Sequence, residues 1–156
     1  MKVENFFLRY AYPCAYIIMQ RGELSKQELD ELEDIAIHNK PISRQRLENI
    51  FFRAFEHIER LAKLRNKSRW SPEVIQEYFY SYHNLVIDNG EGSYATTPPT
   101  LKELSKVDTA EVTYKTDNVL TVQFNGKIRN VVDSFVPEAR VGDRVRIHYG
   151  FAVELV

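Results

Sequence analysis

The sequence predicts an α+β protein built in two parts, a bundle of about four helices over residues 1–90 and a small closed β-barrel over 110–156, joined by a linker at 91–109. Three observations predict it. Apolar residues recur at helical spacing up to about Asp88. Gly90, Gly92 and Pro98-Pro99 then crowd a stretch with no period of its own. After Asp108 the pattern alternates with period two, the signature of half-buried strands.

In the helical part, Val3, Phe6, Phe7, Tyr10, Ala11, Cys14, Ile17 and Ile18 mark a first helix that is amphipathic or largely buried. Pro13 either kinks it or opens a second helix, because proline lacks the N–H and clashes with the preceding turn. Gly22 ends the element. Ser25-Lys26-Gln27-Glu28 reads as a capping box, in which serine oxygen and glutamate carboxylate satisfy each other's orphan amides. Its helix runs to about His38, with Leu29, Leu32, Ile35 and Ala36 inward. Pro41 breaks the pattern and Ser43 caps the next helix, whose stripe is Leu47, Ile50, Phe51, Ala54, Ile58 and Leu61. Ser71-Pro72-Glu73 combines a cap, proline at the first helical position and an acid favoured by the dipole. Val74, Ile75, Tyr78, Phe79, Tyr82, Leu85 and Val86 supply that helix's apolar face. Leu101 to Val107 adds a short helix within the linker.

The strands follow at short intervals. Ala110 to Tyr114 and Val119 to Phe124 form a hairpin around Lys115-Thr116-Asp117-Asn118, and Asn125-Gly126 is a strong two-residue turn into Lys127 to Asp133. Arg144 to Tyr149 and the run from Phe151 complete about five strands. So many short strands in under fifty residues close into a barrel, since open edges invite aggregation.

Composition bounds the function. With 44% hydrophobic and 28% charged residues the chain builds ordinary cores, and a net charge of −1 provides no general attraction to nucleic acid or anionic membrane. Charge is instead segregated: segment 40–69 carries nine Lys/Arg against three acids, and 23–34 six acids against one lysine. That suits an antiparallel helix pair with flanking ion pairs. One cysteine forms no internal disulfide, and with no secretory pattern and no bilayer-spanning apolar run, a soluble cytoplasmic protein is expected.

No catalytic constellation stands out. None of His38, His57, His83 and His148 has a glutamate three residues before it, which removes the di-iron bundle motif. The glycines of Asn89-Gly90-Glu91-Gly92 lack the lysine and following helix of a phosphate loop. An autonomous enzyme is not expected. In the strand from Arg144, alternation places Val145, Ile147 and Tyr149 on one face and Arg144, Arg146 and His148 on the other, wetter one. Gly150 then interrupts the strand.

The run Gly142-Asp143-Arg144-Val145-Arg146-Ile147-His148-Tyr149-Gly150-Phe151-Ala152 resembles the Gly-Asp-x-Val-x-x-His-x-Gly-Phe-Ala signature of the HypC/HupF family of hydrogenase-maturation chaperones. The similarity reaches back to about Ala110. It implies an OB-like barrel, a non-catalytic role assisting iron-centre assembly, and a protein partner, either a hydrogenase large-subunit precursor or an iron–sulfur maturation protein. It marks His148 as a residue near iron. Arg144 and Arg146 are most simply solvated strand residues, but their position beside His148 also suits an acidic partner surface, which makes Arg144, Arg146, His148, Gly150 and Phe151 the candidate partner contact. The family's cysteine after the initiator methionine has no counterpart in Met1-Lys2-Val3. Cys14, the sole thiol, is the remaining candidate for a Cys/His iron site with His148, although its place on an apolar stripe also suits a structural cysteine. The competing reading is a nucleic-acid-binding OB-like module using Lys127, Arg129, Arg144 and Arg146 with exposed aromatics. Against it, 110–156 holds six basic and six acidic residues.

Overall fold

A computed structural model describes all 156 residues and divides into two compact units, Met1–Glu91 and Gly92–Val156. The first unit contains α1 (Val3–Gln20), α2 (Lys26–His38), α3 (Arg44–Ile50), α4 (Phe52–Arg65), α5 (Pro72–Glu77) and α6 (His83–Asp88), with a π-helical turn at Tyr78–Tyr82 between the last two. There are thus six helices where the sequence suggests about four, because two of the expected rods are interrupted.

The first interruption is a single residue. Phe51 departs to φ −103°, ψ 38°, yet its N–H still donates to the Leu47 carbonyl at 2.8 Å and its own carbonyl accepts from Phe55 at 3.1 Å. The apolar period therefore runs through the break. The second interruption inserts one residue, so that the buried face is taken up by different sequence positions beyond it. In the π turn the His83 N–H reaches back to the Tyr78 carbonyl, one residue further than in an α-helix. Beyond it the buried positions are His83, Val86 and Ile87, while Leu85 is exposed and Tyr82 only half-buried.

Local chemistry accounts for the ends. The capping box forms, with the Glu28 N–H donating to Ser25 Oγ at 3.1 Å and the Ser25 N–H to Glu28 Oε2 at 2.9 Å. Ser43 caps α3 through the Arg46 N–H at 3.2 Å. Ser71 sits at the cap position of α5, but its hydroxyl binds the Glu73 carboxylate instead of a backbone amide. Pro13 lies inside one uninterrupted α1. Phe7 is the centre of the unit's core, with rings of Phe51, Phe55, Trp70 and Phe79 at 4.9 to 5.7 Å. The segregated charges pair as opposed helices require: Arg46 meets Glu31 at 2.8 Å and Arg53 meets Glu23 at 2.7 Å, so one chain ascends as the other descends.

The second unit opens with a 3₁₀ turn at Gly92–Thr96 and α7 (Pro99–Ser105). Five strands follow, β1 (Val107–Thr116), β2 (Val119–Phe124), β3 (Lys127–Val132), β4 (Arg144–His148) and β5 (Phe151–Leu155), closed in the order β1-β2-β3-β5-β4. Most of the expected linker belongs to this unit. The Tyr149 N–H donates to the Leu104 carbonyl at 3.1 Å, the Ser105 and Tyr149 hydroxyls are 2.7 Å apart, and Lys127 pairs with Glu103 at 3.2 Å. Ala110, Val112, Leu120, Val122, Val145 and Ile147 fill the barrel. Asn125 and Gly126 both take positive φ, 49° and 71°, the geometry of a two-residue hairpin turn. No helix is long and apolar enough to cross a membrane.

Candidate functional site

The stretch from Arg140 is built by its own turn chemistry. Gly142 has φ 92°, a region side chains rarely adopt. The Arg140 N–H donates to Asp143 Oδ2 at 2.8 Å, and Gly142 and Asp143 exchange backbone bonds with Val112 of β1 at 2.8 and 2.9 Å. β4 and β5 then form a hairpin across Tyr149-Gly150. Here the left-handed residue is Tyr149, φ 50°, while Gly150 has open space where a Cβ would stand. Gly150 contributes its carbonyl, which accepts from the Val132 N–H at 2.8 Å and ties β5 to its parallel neighbour β3.

His148 lies elsewhere than alternation suggests. It is not on a wet face but 0% exposed. Its row partners are Val107 on β1 and Phe151 on β5, and Phe151 stacks on Phe135 at 5.5 Å. The outward row of β4 is thus covered by apolar side chains at this end. Arg146 is held by Glu154 at 2.7 Å, and Phe151 is half-buried. Of the five residues read as a partner contact, only Arg144 and Gly150 are exposed. The hairpin brings the set together in sequence and sheet, without making one surface patch.

Cys14 stands on α1 in the first unit, and His148 on β4 in the second. Burial pushes the Cys14 thiol up to about 12, although the residue keeps some exposure. At neutral pH that burial holds it as the protonated thiol, a poor nucleophile that would have to lose its proton to bind a metal. No three His, Cys, Asp or Glu side chains come together as a metal would require.

The barrel's basic residues are largely engaged. Lys115 Nζ lies 2.8 Å from Asp133 and donates to the carbonyls of Pro137 and Ala139 at 2.7 and 3.0 Å. The Arg129 guanidinium lies 4.9 Å from the Phe124 ring centroid. Asp108 nearby is raised above its ordinary value by burial, with Arg129 pulling the other way.

A feature that sequence reasoning missed lies on the outer side of β1, β2 and β3, a concavity of about 340 Å³ lined by Tyr114, Thr116, Asp117, Asn118, Val119, Thr121 and Asn130. A β-bulge makes it. Val112 faces Val122 and Tyr114 faces Thr121, so Thr113 is an extra residue on β1. Val112 points into the barrel, and strict alternation would send Tyr114 the same way. The inserted Thr113 turns it outward, 62% exposed. The only sequence signal was the adjacent pair Thr113-Tyr114 in a strand whose partner row is polar.

No protein-family model matches the chain, and no curated protein matches it.

Proposed function

We propose that the protein is a non-catalytic cytoplasmic accessory factor that acts through a protein partner, with an OB-like barrel comparable to that of the HypC/HupF chaperones. One observation carries the reading: Gly142 to Ala152, the run that bears the resemblance, forms the β4–β5 hairpin of a closed five-stranded barrel. Within that run Gly142, Val145, His148 and Ala152 serve turn and core, and Arg144 and Gly150 are left for contact. The partner implied is a hydrogenase large-subunit precursor or an iron–sulfur maturation protein. Iron is the cargo of such an assembly. His148 is sealed and Cys14 would have to give up its proton to bind a metal, so the proposal places the iron on the partner and gives this chain the holding role.

The test is a calorimetric titration with each purified partner. Gly150 has space around it and an ordinary φ, so Gly150→Tyr adds bulk to the contact without disturbing the turn. It should weaken binding by at least about tenfold, as should Arg144→Glu. Failure of the unaltered protein to bind either partner would sink the reading. Anaerobic loading with ferrous iron should leave the isolated protein substoichiometric. Stoichiometric iron that disappears in both His148→Ala and Cys14→Ser would instead make the chain an iron carrier. Oligonucleotide binding is not expected, because Lys115, Lys127 and Arg146 already face carboxylates. A steep salt-dependent affinity for single strands would reverse that.

A further inference from the structure

The concavity on the β1–β2–β3 face has a lining with a definite chemical preference. It holds one exposed aromatic ring, Tyr114, with the apolar Val119 beside it, four neutral hydrogen-bonding side chains in Thr116, Asn118, Thr121 and Asn130, and one carboxylate, Asp117. No lysine or arginine lines it. A phosphate-bearing ligand would find no cation to neutralise it and one anion to oppose it. An apolar ligand would desolvate the amides and hydroxyls without replacing their hydrogen bonds. A neutral polyhydroxylated ring satisfies both parts of the lining. Its C–H face lies on the tyrosine ring, and its hydroxyls donate to and accept from the amides, hydroxyls and carboxylate.

The site is also held in place. The Thr113 hydroxyl donates to the Thr121 carbonyl at 3.2 Å, bridging the bulge that turns Tyr114 outward. Thr121 Oγ1 donates to Asn130 Oδ1 at 2.9 Å, which orients the amide and leaves its Nδ2 hydrogens for a ligand acceptor. The Asn118 carbonyl accepts from the Asp133 N–H at 3.0 Å, and Asp117 sits at φ 49°, so the turn beside Tyr114 is fixed as well. From this aromatic platform and the uncharged polar side chains around it, we infer that the outer β1–β3 face is a carbohydrate-binding site for neutral sugars. It goes beyond the partner-binding role, which uses the opposite hairpin of the barrel, and neither depends on the other.

The experiment is an amide chemical-shift titration of the full-length ¹⁵N-labelled protein with maltohexaose, cellohexaose, chitohexaose and mannohexaose, each to about 10 mM, in the range where weak single-site binding is read. At least one sugar should shift the amides of residues 114–121 and 130 saturably. Tyr114→Ala should weaken that binding at least about tenfold and Asn130→Ala several-fold, whereas Gln123→Ala, on the same strand face outside the concavity, should bind as the unaltered protein does. The dispersion of the same spectra shows whether each variant is folded. The inference is overturned if none of the four sugars shifts these amides, if Tyr114→Ala binds unchanged, or if a ten-residue thymidine oligonucleotide shifts them where the sugars do not.

Discussion

Lys115 leaves β1 beside the β3–β4 connection and holds it at three points, the Asp133 carboxylate and the carbonyls of Pro137 and Ala139. Asp133 is almost wholly buried, so removing the ammonium strands a carboxylate away from water. Lys115→Met should cost about 2–3 kcal/mol of unfolding free energy, a value reduced for the lysine's partial exposure. A urea titration measures it, and Asp133→Asn on the same background should recover part of the loss. His57 makes a different case. Its Nδ1 is buried with no hydrogen-bond partner, and burial followed by the charge of Arg60 lowers its pKa, against the weaker pull of Glu91 and Glu56. A histidine depressed in the folded state binds its proton more readily when unfolded. Its contribution is therefore fully present above the unfolded value of about 6.5 and is lost as pH falls through the folded one. His57→Gln should flatten the decline of stability below that value, measured by melting temperature against pH, and an unchanged slope would contradict the assignment. Cys14, with its thiol raised to about 12, should react with iodoacetamide at neutral pH at least about a hundredfold more slowly in the native protein than in urea.

Helices and strands carry two inserted residues, one in each unit. The π turn at Tyr78–Tyr82 absorbs one residue while the helix on either side keeps its face, as the burial of Tyr78, Phe79, His83, Val86 and Ile87 shows. Deleting exposed Ser81 should therefore restore a regular helix with the same buried residues, changing stability by no more than about 1 kcal/mol. Deleting exposed Glu56 from regular α4 should rotate every later residue by about 100° and unfold the unit. Circular dichroism melts distinguish the two, and equal damage from both would contradict the inserted-residue account. The bulge at Thr113 does for β1 what the π turn does for the helix, except that it moves a tyrosine out to solvent. Helix caps were legible because their chemistry is local: Ser25 with Glu28, and Ser43, act within three residues. The two insertions were not legible, since each is favoured by packing across the core and leaves the local pattern only one residue out of phase.

For the whole molecule, the boundary between units falls at Glu91/Gly92, within a residue of the expected end of the helical part at 90, and the barrel unit takes in nearly all of the stretch read as a linker. A chain of residues 92–156 should fold alone, and one of residues 110–156 should not. The shorter piece loses α7 and the Val107, Asp108 and Thr109 pairings of β1 with β4, and so small a domain has little burial to spare. Amide dispersion in the two fragments decides it. The sequence by itself determined the α+β class, the change of period near Asp108, the positions of the five strands and their turns, and the opposed charges of α2 and α3–α4. Each of these rests on spacing and on residue chemistry that acts locally. Only the tertiary structure decided that His148 is sealed, that Arg146 is paired, that residues 92–106 belong to the barrel and that Tyr114 faces out. Those outcomes depend on which rows of a closed sheet are covered and where a ladder slips by one residue, and both are set by contacts between residues far apart in the chain.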